Sequence, residues 1–274
     1  MGLFSGRRTK KEMKGAAGSQ GFAVPAHIAI IPDGNRRWAK KKMLPVAAGH
    51  REGAEVFRRI VRHAEHLGVK YITFYAFSTE NWKRDDAEVE TLMKLLLNFL
   101  LNSEKELGAD KDKICIKVIG DRSRLSRQMQ DEIARVEKET QQNTNIIVNM
   151  AINYGGRDEL KTCVQTIAGK VKAGELSPED ITEETISQNL YTRDTPDPDL
   201  LIRTSGEERI SNYLLWQMAY TEFYFIDKFW PDFEKDDLYL AIRNFQQRER
   251  RFGMTGEQIK VKGEKGEGIN VTEK

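Results

Sequence analysis

The sequence lacks the signatures of several common protein classes. Its 274 residues include only two cysteines, Cys115 and Cys163, and no CxxC spacing, which argues against a disulfide framework or a structural zinc site. Neither a GxxxxGKS/T loop nor a GxGxxG loop occurs, so the usual signs of nucleoside triphosphate and dinucleotide binding are missing. We predict that both cysteines are reduced thiols in the core.

Long hydrophobic runs are also absent. The longest strongly apolar segment, residues 92–101, has about half of the ~20 residues needed to cross a bilayer and is interrupted by Lys94 and Asn98. The first 26 residues contain no apolar stretch of the secretory-signal type, which is about 7–15 residues long. The sequence therefore predicts a cytoplasmic protein without a membrane span.

An excess of charge of one sign is missing as well. The chain has 44 Lys plus Arg and 42 Asp plus Glu, so its net charge of +2 predicts no nucleic-acid partner. Residues 1–22 are a local exception, and we predict a basic mobile tail there that either contacts the inner face of a membrane transiently or has no role. Residues 256–274 predict a polar mobile tail. No linker or repeat divides residues 23–255, which are predicted to form one domain.

Short apolar runs alternate with longer amphipathic ones along that domain. The short runs are rich in Ile, Val, Tyr and Phe at consecutive positions, as in strands covered on both faces. This alternation predicts an α/β fold, a single domain with a mainly parallel six-stranded sheet flanked by helices, whose ligands gather at the carboxyl ends of the strands. The predicted strands are residues 27–31, 71–77, 114–119, 146–152, 200–203 and 222–226. The predicted helices are residues 51–67, 86–106, 122–142, 157–173, 183–190 and 236–251.

A first polar cluster, residues 32–38, follows the first predicted strand. Gly34 permits a tight turn, and the amides that start the next, basic helix can bind a phosphate beside Arg36 and Arg37. Asp33 would then face bound phosphates, where a carboxylate can hold Mg²⁺. The alternative is an Asp-Gly turn with solvated arginines.

A second polar cluster, residues 78–84, follows the second predicted strand. Ser78, Thr79 and Asn81 have the alternative role of capping the next helix. Capping does not explain why Asn81, Trp82 and Arg84 gather just past a strand end, where polar groups can reach a ligand.

A third polar cluster, residues 203–212, follows the fifth predicted strand. Arg203 and Arg209 flank a glycine-containing turn, with Ser211 close by, and predict a diphosphate clamp made of bidentate guanidinium bonds. A charged surface loop is the alternative. Glu222, on the aromatic strand that follows, is either a strand-edge residue or a metal ligand.

The helix that contains residues 92–101 is apolar on almost all sides. Such a helix is covered either by core or dimer contacts or by an apolar ligand. Together with the arginine clusters, the second explanation suits a substrate that has a diphosphate head and a hydrocarbon tail.

Six motifs resemble those of the cis-prenyltransferase family, and within it the bacterial undecaprenyl diphosphate synthases. They are HIAIIPDGNRRWA (27–39), AFSTENW (76–82), NYGGR (153–157), DPDLLIRTSG (197–206), RISN (209–212) and WPDF (230–233). The resemblance spans residues 24–253 in order. It implies a homodimer with a hydrophobic tunnel that adds isopentenyl diphosphate to an allylic diphosphate such as farnesyl diphosphate, with Mg²⁺, to give a polyprenyl diphosphate such as undecaprenyl diphosphate.

The resemblance also implies roles for individual residues. Asp33 would bind Mg²⁺ and assist departure of the allylic diphosphate, Asn81 would serve the deprotonation step, and Glu222 would hold the metal, from this or the partner subunit. The remaining residues would bind substrate. Those at the allylic diphosphate are Gly34, Asn35, Arg36, Arg37, Trp38 and His50; those that complete the active site are Ser78, Thr79, Glu80, Trp82 and Arg84; those at the isopentenyl diphosphate are Arg203, Arg209, Ile210 and Ser211.

Two positions depart from the bacterial pattern. Arg36 stands where a second glycine is common, and Val46 stands where an arginine usually precedes the Gly-His pair. Either Arg36 supplies the missing charge, or the allylic substrate and the product length differ. The rival functions are therefore a synthase of short or irregular prenyl chains and a non-catalytic subunit, although such subunits lose the aspartate turn that this chain keeps.

Overall fold

Six parallel strands form the central sheet, in the order β3-β4-β2-β1-β5-β6. The computed structural model describes residues 24–248, so the two predicted tails lie outside the described part. The six predicted strands are confirmed, and the second, fourth and fifth extend one or two residues further than predicted. The strands are β1 (His27–Ile31), β2 (Tyr71–Ser78), β3 (Ile114–Ile119), β4 (Ile146–Tyr154), β5 (Leu200–Thr204) and β6 (Glu222–Ile226).

Helices cover both faces of this sheet. They are α1 (Asn35–Lys41), α2 (Val46–Leu67), α3 (Asp86–Leu101), α4 (Ser103–Leu107), α5 (Arg127–Thr140), α6 (Gly156–Lys172), α7 (Glu183–Ser187) and α8 (Lys235–Gln246). Three bounds differ clearly from the prediction. The helix α2 begins earlier, because Pro45, with φ −56°, already has the φ that a helix start needs. The predicted helix 86–106 breaks at Asn102. The helix α5 begins only after Ser126, whose Oγ accepts a hydrogen bond from the Met129 amide at 3.2 Å.

The strand order places the functional crevice. The chain builds outward from β1 in one direction through β2 and in the other through β5, so the order reverses beside β1. In open α/β sheets, ligands bind outside the carboxyl ends of the strands at such a reversal. Asp33 follows β1 and Arg203 lies near the end of β5, so the first and third polar clusters meet at this point.

The helix α3 is less covered than its composition suggests. Phe99 and Leu100 are buried, whereas Leu92, Leu95 and Leu96 are only half-buried within the described chain. Its apolar side chains therefore face an open space in addition to the core. In the part of the chain that the structure describes, no helix is long and apolar enough to span a membrane, and the two cysteines are buried and unpaired as predicted.

His27 is a fully buried histidine that supports β1. Its Nδ1 donates to the Pro196 carbonyl oxygen at 2.6 Å, so its Nε2 accepts from the Thr73 hydroxyl at 2.7 Å. Burial lowers the pKa of His27 to about 4, although the Pro196 hydrogen bond and the charge of Asp199 act in the opposite direction. His27 is therefore neutral in the folded protein at neutral pH.

This burial predicts a loss of stability in acid. The unfolded chain protonates His27 below about pH 6.5, whereas the folded chain keeps it neutral down to about pH 4. Between these values the unfolded state binds more protons, so the free energy of unfolding falls as the pH drops, by at most about 3 kcal/mol. Urea denaturation at pH 7 and pH 4.5 should show a smaller pH-dependent loss in His27→Gln than in the unchanged protein. Equal losses would contradict this role.

Candidate active site

A cavity of about 700 Å³ lies beyond the carboxyl ends of β1, β2 and β5 and extends between α2 and α3. One end is polar and the other is apolar. The polar end is lined by Asp33, Asn35, His50, Ser78, Glu80, Asn81, Arg84, Arg203, Arg209, Ser211 and Asn212. The apolar end is lined by Ala54, Phe57, Phe74, Leu92, Leu95, Leu96, Phe99, Met150 and Trp230. The hydrophobic tunnel that the resemblance implies stays a prediction.

The predicted tight turn places Asp33 at the mouth of this cavity. Gly34 has φ +105°, and a Cβ at this position would lie 2.2 Å from Ser205 Oγ and 2.7 Å from the Phe229 ring. Only glycine combines this backbone conformation with this close approach. The turn at Gly34 is therefore required for α1 to begin at Asn35, two residues after Asp33.

Two arginines hold the Asp33 carboxylate. Arg203 Nη2 lies 3.0 Å from Asp33 Oδ2, and Arg37 Nη2 lies 3.1 Å from Asp33 Oδ1. Arg203 is buried and also donates to Ser211 Oγ at 2.8 Å. Arg209 instead pairs with Glu207, and its side chain is 60% exposed. The structure thus brings Arg203 and Ser211 together, while Arg209 remains at the rim.

A smaller cavity of about 290 Å³ adjoins the first and shares Asp33, Asn35, His50 and Arg84 with it. Each cavity is lined by three arginines and two carboxylates, and the arginines of the smaller cavity are Arg36, Arg37 and Arg84. Of the charged residues that line this cavity, only Glu88, in the first turn of α3, was not predicted from the sequence. Acidic residues are common near the start of a helix, where they interact favourably with the helix dipole, so Glu88 did not stand out in the sequence as a site residue.

Several buried polar atoms at this site lack a hydrogen-bond partner. They are Asn35 Oδ1, His50 Nε2 and Arg203 Nε, which belong to side chains that line the cavities. Burial is the largest cause that lowers the pKa of His50, with the Arg84 and Arg36 charges adding to it and Glu88 opposing it. Buried polar groups are normally satisfied, so three unpaired atoms on side chains of the cavity wall are unusual and are a feature of binding sites.

The second polar cluster caps a short 3₁₀ turn, Thr79–Lys83, and not α3, which the capping alternative named. Asn81 Oδ1 accepts a hydrogen bond from the Ser78 amide at 3.1 Å in this turn, and both residues also line the large cavity. Glu80 accepts from Asn212 Nδ2 at 2.8 Å. Burial alone would raise the pKa of Glu80, but the hydrogen bonds from Asn212 and from neighbouring groups outweigh it and lower that pKa.

Five predicted site residues lie outside the linings of both cavities. Trp38 is buried and donates to Asp232 at 2.7 Å, and Trp82 donates to Asn153 at 2.7 Å. The two indoles therefore support the site's loops within this chain. The other residues outside the linings are Thr79, Ile210 and Glu222.

Glu222 lies at the opposite end of the sheet from Asp33. It begins β6 and is level with Leu200 and therefore with Ile28, which lies five positions before Asp33. At about 3.3 Å per residue, this separates the two carboxylates by roughly 15 Å along the strands. Glu222 pairs with Arg248 at 2.7 Å. The two residues cannot hold one ion within a single chain.

The residues present fit a magnesium ion that is shared with a diphosphate. In the described range, residues 24–248, no group of three His, Cys, Asp or Glu side chains is placed to hold a metal by itself. Asp33 lines both cavities, and 28% of its side chain is exposed. Mg²⁺ is commonly bound by one or two carboxylates together with substrate phosphates, which suits a single aspartate at this junction.

Comparisons with known proteins agree with this geometry. The Prenyltransf family model, which describes undecaprenyl diphosphate synthases, matches residues 31–253. Ditrans,polycis-undecaprenyl-diphosphate synthase ((2E,6E)-farnesyl-diphosphate specific) of Vibrio vulnificus (strain YJ016) is 48% identical over 239 residues, covering 87% of this chain and 94% of that protein.

Two of the solved structures that are similar to this chain illustrate the range. Lavandulyl diphosphate synthase from Lavandula x intermedia, in complex with dimethylallyl diphosphate, is 42% identical with a TM-score of 0.81 and covers 84% of this chain and 98% of that one. A protein described as a probable undecaprenyl diphosphate synthase from Campylobacter jejuni is 31% identical with a TM-score of 0.69 and covers 84% of this chain and 99% of that one.

Proposed function

The chain belongs to the undecaprenyl diphosphate synthase family of prenyltransferases. From this membership we infer that the protein condenses isopentenyl diphosphate with an allylic diphosphate, and that the reaction takes place in its large cavity. The observation that supports this most directly is the amphipathic cavity. Arginines and unpaired polar atoms line one end, and leucines and phenylalanines line the other. A molecule with a diphosphate head and a hydrocarbon tail matches both ends.

The residues around Asp33 supply the electrostatics of the reaction. When the bond between the allylic carbon and its diphosphate breaks, negative charge builds on the leaving group. Guanidinium groups aimed at that charge stabilise the transition state, and Arg36, Arg37 and Arg84 line the small cavity where we place the allylic diphosphate. Asp33 would hold Mg²⁺ together with the diphosphate, and the ion would supply Lewis-acid stabilisation of the same charge.

The isopentenyl diphosphate site lies beside Arg203. We place its diphosphate between Arg203 and Ser211, which are already joined by a hydrogen bond, with Arg209 closing from the rim. Arg203 therefore connects the two diphosphates through Asp33. Asn81 lines the cavity and remains our candidate for the deprotonation that ends each addition.

Product sizing tests this function. The purified chain, given Mg²⁺, labelled isopentenyl diphosphate and farnesyl diphosphate, should form a polyprenyl diphosphate, and undecaprenyl diphosphate is our first choice of product. The similarity to lavandulyl diphosphate synthase favours a second candidate, a synthase of short or irregular chains. The same assay with dimethylallyl diphosphate in place of farnesyl diphosphate tests this candidate, and prenyl transfer with dimethylallyl diphosphate alone would select it. No prenyl transfer with either primer would overturn the proposed function.

The edge of the sheet supports a homodimer. β6 is an edge strand, and its aromatic residues Phe223, Tyr224 and Phe225 are only half-buried within the described chain. A second copy that covers this strand would hide the unpaired edge. Sedimentation equilibrium should give the mass of two chains, and any metal role of Glu222 then rests on the partner subunit.

Val46 and Arg36 allow a test of charge compensation. Val46 is half-buried at the start of α2, and Arg36 lines the small cavity. If Arg36 supplies the missing charge, Val46→Arg should lower the KM for the allylic primer much more in an Arg36→Gly background than alone, by about one to two powers of ten for a charge-assisted bond. Strictly independent effects of the two substitutions would contradict compensation.

We propose a cytoplasmic protein that contacts the membrane peripherally. The basic tail of the prediction lies outside the described residues. Within them, Lys40, Lys41 and Lys42 precede Met43, which is 93% exposed, and Leu44, which is 43% exposed. Lysines near an anionic surface contribute about 1 kcal/mol each.

This exposed segment, residues 40–44 at the end of α1, predicts electrostatic binding to lipid vesicles. Replacing the three lysines with glutamate should reduce co-sedimentation with anionic vesicles at least about tenfold, because three attractive charges become repulsive. Neutral vesicles and a variant with Lys105, Lys111 and Lys138 replaced by glutamate serve as controls. Unchanged co-sedimentation would contradict a role for this segment.

A further inference from the structure

Glu88 is a buried carboxylate surrounded by three basic side chains from three different segments. Its Oε2 lies 3.1 Å from Arg36 Nη1 in α1, and its Oε1 lies 2.9 Å from Arg84 Nη1 in the turn before α3. The same Oε1 lies 3.4 Å from His50 Nε2 in α2. Only 6% of the Glu88 side chain is exposed.

This arrangement differs from an ordinary surface ion pair. Exposed pairs contribute little because both side chains remain hydrated and mobile. Here the carboxylate is almost fully buried, whereas its arginine partners are 47% and 38% exposed. A buried carboxylate is retained when it is paired, so Arg36 and Arg84 satisfy Glu88 and Glu88 in turn restrains them.

We propose that Glu88 is a positioning residue that holds Arg36 and Arg84 at the allylic diphosphate. The inference rests on the proposed function, because it assigns the small cavity to that diphosphate. Both arginines line this cavity. Without Glu88, Arg84 would have no ion pair in the described chain, and Arg36 would keep only a 3.9 Å contact with the exposed Asp85, so both long side chains would sample more rotamers. Binding would then have to order both of them, which weakens affinity.

Glu88 does not itself bind the anion. A carboxylate repels a diphosphate. Glu88 favours diphosphate binding only because it restrains two guanidinium groups while adding one negative charge. The Arg36, Arg84 and Glu88 cluster keeps a net charge of +1 when all three are ionised, so it still attracts an anion. His50, whose Nε2 has no hydrogen bond, completes this wall of the cavity.

Steady-state kinetics of Glu88→Ala tests the proposal. We expect the KM for the allylic primer to rise roughly tenfold to a hundredfold, because two side chains must be ordered on binding. At saturating primer the bound diphosphate has already ordered both arginines, so kcat should change by less than about threefold. The KM for isopentenyl diphosphate should also change by less than about threefold, since Arg203 and Ser211 are separate from this cluster. Glu88→Gln keeps an acceptor of the same shape and should show a smaller rise.

The control is Glu90→Ala, which removes an exposed carboxylate from the same helix. In the described chain, the only salt bridge of Glu90 is with Lys94. It should leave all three constants unchanged. An unchanged or lower allylic KM in both Glu88→Ala and Glu88→Gln would overturn positioning, because repulsion would then dominate. Equal changes in kcat and in both KM values would also overturn it, since they indicate a merely structural role.

Calorimetry with inorganic diphosphate separates this inference from the proposed function. The unchanged protein should bind inorganic diphosphate more tightly than Glu88→Ala, also by roughly tenfold. If the unchanged protein transfers no prenyl group but still shows this difference, the proposed function fails and the positioning role stands. Equal affinity in the two proteins overturns the positioning role, whatever the activity.

Discussion

Replacing Asp33 with alanine should lower kcat at least about a hundredfold to a thousandfold at saturating substrates. The substitution removes the carboxylate that we assign to Mg²⁺ at the departing diphosphate. Arg203 and Arg37, each of which lies about 3 Å from an Asp33 oxygen, lose one ionic partner but keep their other contacts, Ser211 and Glu207 respectively. The loss therefore comes mainly from the missing charge stabilisation.

The fold should survive this substitution. The Asp33 side chain is partly exposed, so its removal leaves no core cavity, and buried Arg203 keeps its hydrogen bonds to Ser211 and to the Arg209 carbonyl oxygen. Urea denaturation measures stability alongside kcat. Asp131→Ala, which removes an exposed carboxylate from α5, serves as the matched control. Near-normal turnover of Asp33→Ala at saturating Mg²⁺ would contradict the assignment.

Filling the apolar end of the cavity should shorten the product. Ala54 lies on α2 between His50 and Phe57, and all three line the large cavity. A phenyl ring at this position occupies space that we assign to the growing hydrocarbon. Ala54→Phe should therefore stop elongation at least one isoprene unit earlier than the unchanged protein, as measured by sizing the dephosphorylated products.

The ring should enter open space, so its effect on folding is expected to be small. Val164→Phe adds a similar bulk to an exposed position of α6 and should leave the product pattern unchanged. An unaltered product distribution in Ala54→Phe, with normal turnover, would show that the hydrocarbon lies elsewhere.

The sheet and the position of the site could be predicted because both depend on local sequence. Strands covered on two faces give continuous apolar runs, and such runs gave all six strands within two residues. Parallel strands bring their carboxyl ends to one edge, and the polar clusters that contain Asp33 and Arg203 follow strands, so both were expected at the edge where ligands gather. The half-covered face of α3 likewise follows from its excess of leucines.

The remaining features depend on contacts between distant segments. Glu88 becomes part of the site only because α1 and α2 bring Arg36 and His50 to it. Trp82 forms its hydrogen bond with Asn153, which lies on β4, and this pairing leaves the indole outside the cavity linings. No periodicity or motif spacing in a single sequence encodes such pairings.

A crystal structure of the protein with Mg²⁺ and an unreactive allylic diphosphate analogue tests the central claim most directly. The account predicts the diphosphate in the small cavity within hydrogen-bond distance of Arg36 and Arg84, with Mg²⁺ bridging it to Asp33. It also predicts that the hydrocarbon lies between α2 and α3, against Leu96 and Phe99. A diphosphate bound away from Asp33, or a hydrocarbon outside that space, would contradict it.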